Sequence, residues 1–282
     1  MAEAGTSGHF HWRTCDGARL HARIVRAATA ASGPPALLLH SLFFDNTMFD
    51  AALERLASER DCIIPDHRGQ GKSDPGRHTP TCDRLSQDMI GLCDRLGIGQ
   101  VHVVGSSMGA YVGMDMLRLV PARIVSLTIS CCTCDREADP KRFDALIAFL
   151  GREDRPNLAG RIASLMFGAT FLQNERSRAE RERWLWHFVS LPRSIGRVAA
   201  AMFAHSTYRD VLTATDTPLL AMAGAQDNAK APSDLAWIGQ SGRGRFIVLQ
   251  ESGHTAPVET PDAYGTEVAS FLARTSATKA RL

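Results

Sequence analysis

The sequence of 282 residues lacks the features that mark membrane proteins, nucleic-acid-binding proteins and exported proteins. No apolar run approaches the roughly 18 residues that identify a membrane-spanning helix, and the opening stretch MAEAGTSGHFHWRTCDG contains no hydrophobic signal segment. Neither sign of charge is in excess, because 32 basic and 30 acidic residues give a formal net charge of +2. So small a charge does not recruit nucleic acid or an anionic membrane. We therefore expect a soluble, cytoplasmic protein with no nucleic-acid or membrane partner.

Cysteine is present but lacks a pattern that would mark disulfides or a metal. The seven cysteines are odd in number, lie mostly inside apolar runs and show no paired CxxC spacing, which argues against a disulfide framework. The cluster CCTC at 131–134 invites a metal interpretation. Adjacent residues of a strand point to opposite faces, however, and no matching Cys/His pair lies nearby. We interpret this cluster as the end of a strand and predict no metal site.

What the sequence does contain is an alternation of short apolar runs with helical stretches. An opening hairpin, turned at Asp16-Gly17, precedes the six runs PALLLH (35–40), CIIPD (62–66), VHVVG (101–105), IVSLTIS (124–130), PLLAMAG (218–224) and RFIVLQ (245–250). Helical periodicity lies between several of them, as in RLSQDMIGLCDRLG. Apolar strands separated by helices are typical of parallel sheets covered on both faces. The hairpin and the six runs therefore predict an α/β fold with a mostly parallel eight-stranded sheet.

The alternation is interrupted once, between residues 135 and 215, by four helix-like segments without a strand. The third of these is rich in charges at i,i+4 spacing, such as Arg178 and Glu182, which indicates a solvated helix face. Open α/β sheets bind ligands at the carboxyl ends of their strands, and an insertion there can cover the ligand. We predict a core formed by residues 1–134 and 216–282, with residues 135–215 inserted as a helical cap.

The stretch VVGSSMGAYVG at 103–113 contains the pattern G-x-S-x-G between an apolar strand and a helix. In this context the pattern is typical of a nucleophile elbow, a turn so tight that glycines must flank its centre. Ser107 occupies the central position and Ser106 does not. We therefore predict that Ser107 is a catalytic nucleophile at the start of a helix.

A serine hydroxyl is a weak nucleophile near neutral pH, so this interpretation requires a base and an orienting acid. Asp227 follows the strand PLLAMAG and His254 lies in the loop after RFIVLQ, in the chain order Ser, Asp, His that elbow enzymes use. His254 would accept the proton of Ser107 while Asp227 holds the other ring nitrogen. Asp135, after the preceding strand, is a competing candidate for the acid.

Acyl transfer also requires donors for the oxyanion that forms on the substrate. The backbone N–H of Met108, directly after the nucleophile, is one predicted donor. The N–H of Leu42, in the loop after PALLLH, is the other. The adjacent Phe43 and Phe44 either pack in the core or line an apolar substrate pocket, and composition alone does not separate these interpretations. Ser107, His254, Asp227 and the two amides suffice for acyl transfer without metal or cofactor.

Three further segments carry a resemblance to a known family. DHRGQGKSD (66–74) resembles the D-x-R-G-x-G-x-S loop of the α/β-hydrolase superfamily, and GHTAPVETPDAY (253–264) is similar to its G-H-x-x-x-x-E-x-P segment. HSLFFDNTMFD (40–50) resembles the N-S-L-G…M-W stretch of 3-oxoadipate enol-lactonases. The chain departs from those enzymes where Phe43 replaces glycine, Phe49 replaces tryptophan and the elbow reads GSSMGA instead of GLSMGG.

The resemblance implies an α/β-hydrolase fold and a serine hydrolase of a small ester or enol-lactone. It also implies a helical cap whose Trp184 and Trp186, with Phe43 and Phe44, contact the substrate. Ser107 argues against haloalkane dehalogenases and epoxide hydrolases, which carry aspartate at the elbow. Thr255 argues against C–C bond hydrolases, which generally carry an aromatic residue after the histidine. That class, the cofactor-free haloperoxidases and receptor-like members without turnover remain the alternatives. The final tripeptide, Ala280-Arg281-Leu282, resembles a peroxisomal signal, but we expect a cytoplasmic protein.

Overall fold

An eight-stranded sheet organises the chain in the computed structural model, which describes residues 7–77, 80–136, 139–150, 155–241 and 244–279. The C-terminal tripeptide 280–282 lies outside these ranges. The strands are β1 (Ser7–Arg13), β2 (Arg19–Val25), β3 (Ala36–Leu39), β4 (Cys62–Pro65), β5 (Val101–Ser106), β6 (Ile124–Ser130), β7 (Leu219–Gly224) and β8 (Gly244–Leu249). Their order across the sheet is β1-β2-β4-β3-β5-β6-β7-β8. Pairs that include β2 are antiparallel and all others are parallel, so the predicted sheet is confirmed.

The strands form where the sequence places apolar runs and turn residues. β1 and β2 make the opening hairpin, with Arg13 opposite Arg19, and Gly17 adopts a φ of 84° in its turn. The strands β3 to β7 are buried along their whole length, as expected for a sheet with helices on both faces. Because their carboxyl ends meet at one edge, the loops that follow β3, β5, β7 and β8 come together there.

Helices connect the parallel strands and cover the sheet. They are α1 (Leu53–Leu56), α2 (Cys82–Arg95), α3 (Met108–Leu119), α4 (Asp144–Leu150), α5 (Arg155–Met166), α6 (Ala169–Gln173), α7 (Arg178–Ser190), α8 (Ile195–Phe203), α9 (Arg209–Ala214), α10 (Ser233–Gln240), α11 (Ala256–Glu259) and α12 (Pro261–Lys279). Short 3-10 helices span Asn46–Ala52, Pro121–Arg123, Pro140–Phe143 and Glu175–Ser177. None of the helices in the described ranges is both long and apolar enough to cross a membrane.

The segment between β6 and β7 contains α4 to α9 and, in its described part, no strand. Within it α5 packs on α7 and α4 packs on α8, while α9 contacts α3 of the sheet domain. The two ends of the insertion are joined, because the amide of Tyr208 donates to the carbonyl of Cys134 at 2.7 Å and Arg209 pairs with Asp135. Arg178 and Glu182 form the i,i+4 pair that the charge pattern of α7 predicts, at 2.9 Å.

The cysteines of the CCTC cluster lie at the end of β6, as the alternation predicts, and all three are buried free thiols. Burial raises the pKa of the Cys134 thiol to about 12. Cys15 is the one exposed cysteine of the seven. Among the described residues, no group of three or more His, Cys, Asp and Glu side chains is arranged to hold a metal ion.

Candidate active site

Ser107 lies at the apex of a sharp turn between β5 and α3. Its backbone is strained, with φ 51° and ψ −111°. A Cβ atom on Gly105 would lie 2.4 Å from the carbonyl oxygen of Gly109, and one on Gly109 would lie 2.1 Å from that of Leu39. The turn can therefore close only with glycine at both positions. The Ser107 side chain is partly exposed, whereas Ser106 is fully buried and its hydroxyl has no hydrogen-bond partner among the described residues.

The structure brings Ser107, His254 and Asp227 together in one hydrogen-bonded chain. Ser107 Oγ lies 2.8 Å from His254 Nε2, and His254 Nδ1 lies 2.8 Å from Asp227 Oδ2. Asp227 follows β7 and His254 follows β8, so adjacent parallel strands deliver both side chains to the edge where β5 ends. Both side chains are almost fully buried, which keeps water from competing for these bonds.

The environment of Asp227 favours its charged form. Burial would raise the pKa of this carboxyl group, but the neighbouring His254 and its hydrogen bond outweigh burial, so the pKa lies below its usual value. The amides of Ala229 and Lys230 add to this effect, since they donate to Asp227 Oδ1 at 2.7 and 2.9 Å. An ionised Asp227 accepts the Nδ1 proton of His254 and leaves Nε2 free to accept the proton of Ser107.

Asp135, the competing acid, is engaged elsewhere. Its carboxylate accepts hydrogen bonds from Arg209, one of them at 2.9 Å, and about half of its side chain is exposed. His254 bonds to Asp227 instead. The geometry thus separates the two candidates that the sequence alone left open.

The two predicted oxyanion donors are backbone amides that are not engaged by other described residues. The N–H of Leu42 and the N–H of Met108 have no acceptor among the described residues, so both can donate to a bound substrate. The next amide in the loop, that of Phe43, is occupied, since it donates to Gln70 Oε1 at 3.0 Å. Phe43 has a φ of 75°, the left-handed conformation that favours glycine, which is the residue that enol-lactonases carry at this position.

Gln70 is a residue of this site that the sequence reasoning missed. Its side chain is 1% exposed, accepts from the Phe43 amide and places Nε2 3.6 Å from Met108 Sδ. Gln70 therefore contacts Phe43, which follows the predicted donor Leu42, and Met108, which is the other predicted donor. A signal for it is present in the sequence, because Gln70 lies inside DHRGQGKSD, the segment that resembles the α/β-hydrolase loop.

Phe44 joins the loop after β3 to the helical segment between β6 and β7. Its ring lies 4.5 Å from Trp184, 5.3 Å from Phe188 and 6.1 Å from Phe167, measured between centroids. All four side chains, like Phe43, are almost completely buried. Aromatic pairs at these distances stabilise beyond simple burial, so this cluster holds the helical segment between β6 and β7 against the loop that carries Leu42.

The structure does not bring Trp186 to this cluster. Two residues along an α-helix rotate a side chain by about 200°, so Trp186 projects from the face of α7 opposite Trp184. Its side chain is 75% exposed and borders a shallow apolar depression with Ala159, Leu185 and Val189. The structure thus separates Trp186 from Phe44 and Trp184, and its predicted contact with the substrate stays a prediction.

Comparison with known proteins agrees with this architecture. The model of the Alpha/beta hydrolase family matches residues 36–266, so the chain belongs to this family. Within the family it is similar to 3-oxoadipate enol-lactonase 2 of Acinetobacter baylyi, with 23% identity over 86% of this chain and 90% of the relative. The solved enol-lactonase from Burkholderia xenovorans superposes with a TM-score of 0.82 at 23% identity, over 91% of this chain and 97% of that one.

The chain is also similar to a protein with a different activity. The dihydrolipoyllysine-residue acetyltransferase component of the acetoin cleaving system of Pseudomonas putida is 26% identical over 85% of this chain. The match spans only 64% of that relative's length. Membership of the family and the enol-lactonase relatives support a hydrolase, which is a broader statement than any one substrate.

Proposed function

We propose that the protein is a serine hydrolase that cleaves a small carboxylic ester or enol-lactone through an acyl-enzyme on Ser107. The observation that carries this proposal is the continuous chain from Ser107 through His254 to Asp227, with both links at 2.8 Å and the serine at the apex of a strained elbow. A nucleophile within reach of its base, and a base oriented by an ionised acid, are the requirements for acyl transfer.

In the first half-reaction Ser107 Oγ attacks the substrate carbonyl carbon while its proton moves to His254 Nε2. The carbonyl π electrons move onto oxygen, and the amides of Leu42 and Met108 donate to the resulting oxyanion. Asp227 stabilises the imidazolium that forms. When the oxyanion collapses, the bond to the leaving alkoxide or enolate breaks, and the leaving group takes the proton from His254.

In the second half-reaction His254 removes a proton from water, and the hydroxide oxygen bonds to the acyl carbon. The ester bond to Ser107 then breaks, and Ser107 Oγ recovers its proton from His254, which releases a carboxylic acid. In a lactone the leaving oxygen stays tethered to the acyl group. One small closed pocket is then enough to hold both parts of the substrate.

Gln70 supports the oxyanion donors in this mechanism. Its bond to the Phe43 amide holds the left-handed conformation of Phe43, and this conformation sets the direction of the preceding peptide groups. A donor contributes to catalysis only where it already points at the developing charge. Gln70 is therefore a positioning residue for the N–H of Leu42.

The buried aromatic residues favour a small, partly apolar substrate. Phe43 and Phe44 of the oxyanion loop and Trp184 of the cap, which we assign to residues 135–215, are buried side chains. Apolar and aromatic surroundings of this kind favour an acyl or alkoxy group that is itself partly apolar. The 3-oxoadipate enol-lactonase relatives favour a lactone within this class.

The test compares Ser107→Ala with Ser106→Ala, since the second serine is adjacent but fully buried. Purified protein is assayed with p-nitrophenyl acetate and butyrate and with a panel of lactones and enol esters. We expect multiple turnovers, a loss of several orders of magnitude in kcat for Ser107→Ala, and most of the activity retained by Ser106→Ala. A fluorophosphonate should label Ser107. Absence of turnover across the panel together with absence of labelling would refute the proposal.

A further inference from the structure

Residues 166–170, where α5 gives way to α6, are hydrogen-bonded to both loops that carry the general base and its acid. We call this segment the cap corner. Its contacts fall on Gln226, which directly precedes Asp227, and on Gly253 and Thr255, which flank His254. The role of these contacts in catalysis rests on the proposed function, because it concerns proton transfer between Ser107, His254 and Asp227.

On the acid side the contact is a reciprocal pair between Gln226 and Thr170. The amide of Thr170 donates to Gln226 Oε1 at 2.8 Å, and Gln226 Nε2 donates to Thr170 Oγ1 at 2.7 Å. Gln226 Nε2 also lies 3.2 Å from the carbonyl oxygen of Gln250, in the loop after β8. The Gln226 side chain thus joins the loop that carries Asp227 to the cap corner and to the loop that carries His254.

On the base side the contact passes through Glu259. Its Oε2 accepts from the amides of Gly168 and Gly253 at 2.7 and 2.9 Å, and its Oε1 accepts from the amide of Thr255 at 2.9 Å. Thr255 Oγ1 lies 2.9 Å from Glu259 Oε1 and 3.0 Å from the carbonyl oxygen of Met166, so its single proton can serve either acceptor. The two amides next to His254 are therefore held by the carboxylate that also holds the cap corner.

The backbones of the two segments touch directly. A Cβ atom on Gly253 would lie 2.3 Å from the Gly168 nitrogen, and one on Gly168 would lie 2.9 Å from the Gly253 nitrogen. Such contact needs glycine on both sides. A displacement of the cap corner would therefore be transmitted to the residue that precedes His254.

We propose that the cap corner positions Asp227 and His254 for proton transfer, with Gln226 and Glu259 as the positioning residues that transmit its position. Asp227 and His254 both lie in loops, where side chains are held less precisely than on strands or helices. Any cap movement that detached residues 166–170 would break their hydrogen bonds to Gln226, Glu259 and Thr255. The catalytic arrangement is then complete only while this corner of the cap is seated.

A double-mutant cycle tests this role. Thr170→Val removes the hydroxyl and keeps the backbone N–H and the shape, while Gln226→Met removes both polar atoms at similar length. Thr213→Val is the matched control, because the bond that the hydroxyl of Thr213 makes among the described residues lies within α9, to the carbonyl of Arg209 at 2.8 Å. For each variant we measure kcat, KM, the pH profile of kcat/KM, the rate of fluorophosphonate labelling and the unfolding midpoint.

We expect kcat to fall about 10- to 100-fold in Gln226→Met, because a small displacement of the base or its acid is costly. Thr170→Val should lose about three- to tenfold, the equivalent of one hydrogen bond. The double variant should lose less than the product of the two, since they share an interaction. KM should change little, labelling should slow in parallel with kcat, and the pH profile should shift, whereas Thr213→Val should match the wild type.

Two outcomes separate this proposal from the proposed function. A wild-type protein that neither turns over esters nor reacts with the phosphonate would refute the function itself. An active wild type beside a Gln226→Met variant with unchanged kcat, labelling rate and pH profile would overturn the positioning role, even if its unfolding midpoint fell. Should Gln226→Met fail to fold, Thr170→Val decides the question alone, and unchanged kcat in that variant overturns the proposal.

Discussion

Strained backbone is concentrated at the carboxyl-end edge of the sheet, where Ser107 lies. The three non-glycine residues with positive φ in the described ranges are Phe43, Ser107 and Cys131, which follow or end the neighbouring strands β3, β5 and β6. Conformations of this kind cost free energy and persist only where surrounding contacts impose them. At Phe43 the imposing contact is the hydrogen bond from its amide to Gln70.

This contact gives a prediction for a single residue. Gln70→Met keeps the length of the side chain and leaves the Phe43 amide buried without an acceptor, so the loop should change conformation and misdirect the Leu42 donor. We expect kcat to fall about 10- to 100-fold, somewhat less than the loss of a whole oxyanion donor, with KM nearly unchanged. Steady-state kinetics on a p-nitrophenyl ester measure both. The control is Gln87→Met, an exposed glutamine of α2 that bonds to Asp83. Equal kcat in the two variants would contradict the role of Gln70.

At the scale of secondary-structure elements, much of this fold could be read from the sequence. Buried parallel strands are short and apolar throughout, and each begins and ends near proline, glycine or polar residues, so the runs from PALLLH to RFIVLQ stand out. Ser107, Asp227 and His254 could likewise be recognised, because each follows the end of one of these strands and they occur in the chain order Ser, Asp, His. Gln70 and the contact of Gly168 with Gly253 could not be predicted, because they depend on how distant segments pack.

In helix α7, too, the sequence alone does not predict which residues pack against distant segments. The spacing of Trp184 and Trp186 places them on opposite faces of a helix but does not say which face is buried. In the structure Trp184 packs on Phe44 and donates to Glu180 Oε1 at 2.8 Å, while Trp186 faces outward.

The two tryptophans of α7 should therefore respond differently to truncation. Trp184→Ala leaves a cavity between α7 and the loop that carries Phe44, and we expect it to lower the unfolding free energy by about 3–5 kcal/mol. Trp186→Ala, at an exposed site, should change it by less than about 0.5 kcal/mol. Urea unfolding followed by circular dichroism compares the variants with the wild type. A large destabilisation by Trp186→Ala would mean that the outer face of α7 is covered in solution.

At the scale of the whole molecule, Asp66 connects several segments beneath the site. Its carboxylate accepts from the backbone and side chain of Asn46 at 2.8 Å and from the Lys72 amide at 3.0 Å, and lies 2.7 Å from His21 Nδ1. Burial would raise the pKa of Asp66, but His21, His40 and the two amides outweigh it and lower the pKa to about 2. The network joins β2, the start of the 3-10 helix after the oxyanion loop, and the loop that contains Gln70.

This carboxylate should make part of the unfolding free energy depend on pH. Because the pKa is lower in the folded state than in the unfolded chain, the stabilisation is complete above about pH 4 and is lost as the pH falls towards 2. The contribution of Asp66 is about 2 kcal/mol. We expect the difference in unfolding free energy between the wild type and Asp66→Asn to be largest near pH 5 and to shrink towards pH 2, as measured by urea unfolding at each pH. Asp262→Asn, which removes an exposed carboxylate, should give a curve parallel to that of the wild type. If the Asp66→Asn curve is also parallel, the ionised Asp66 does not stabilise the fold in the way its contacts indicate.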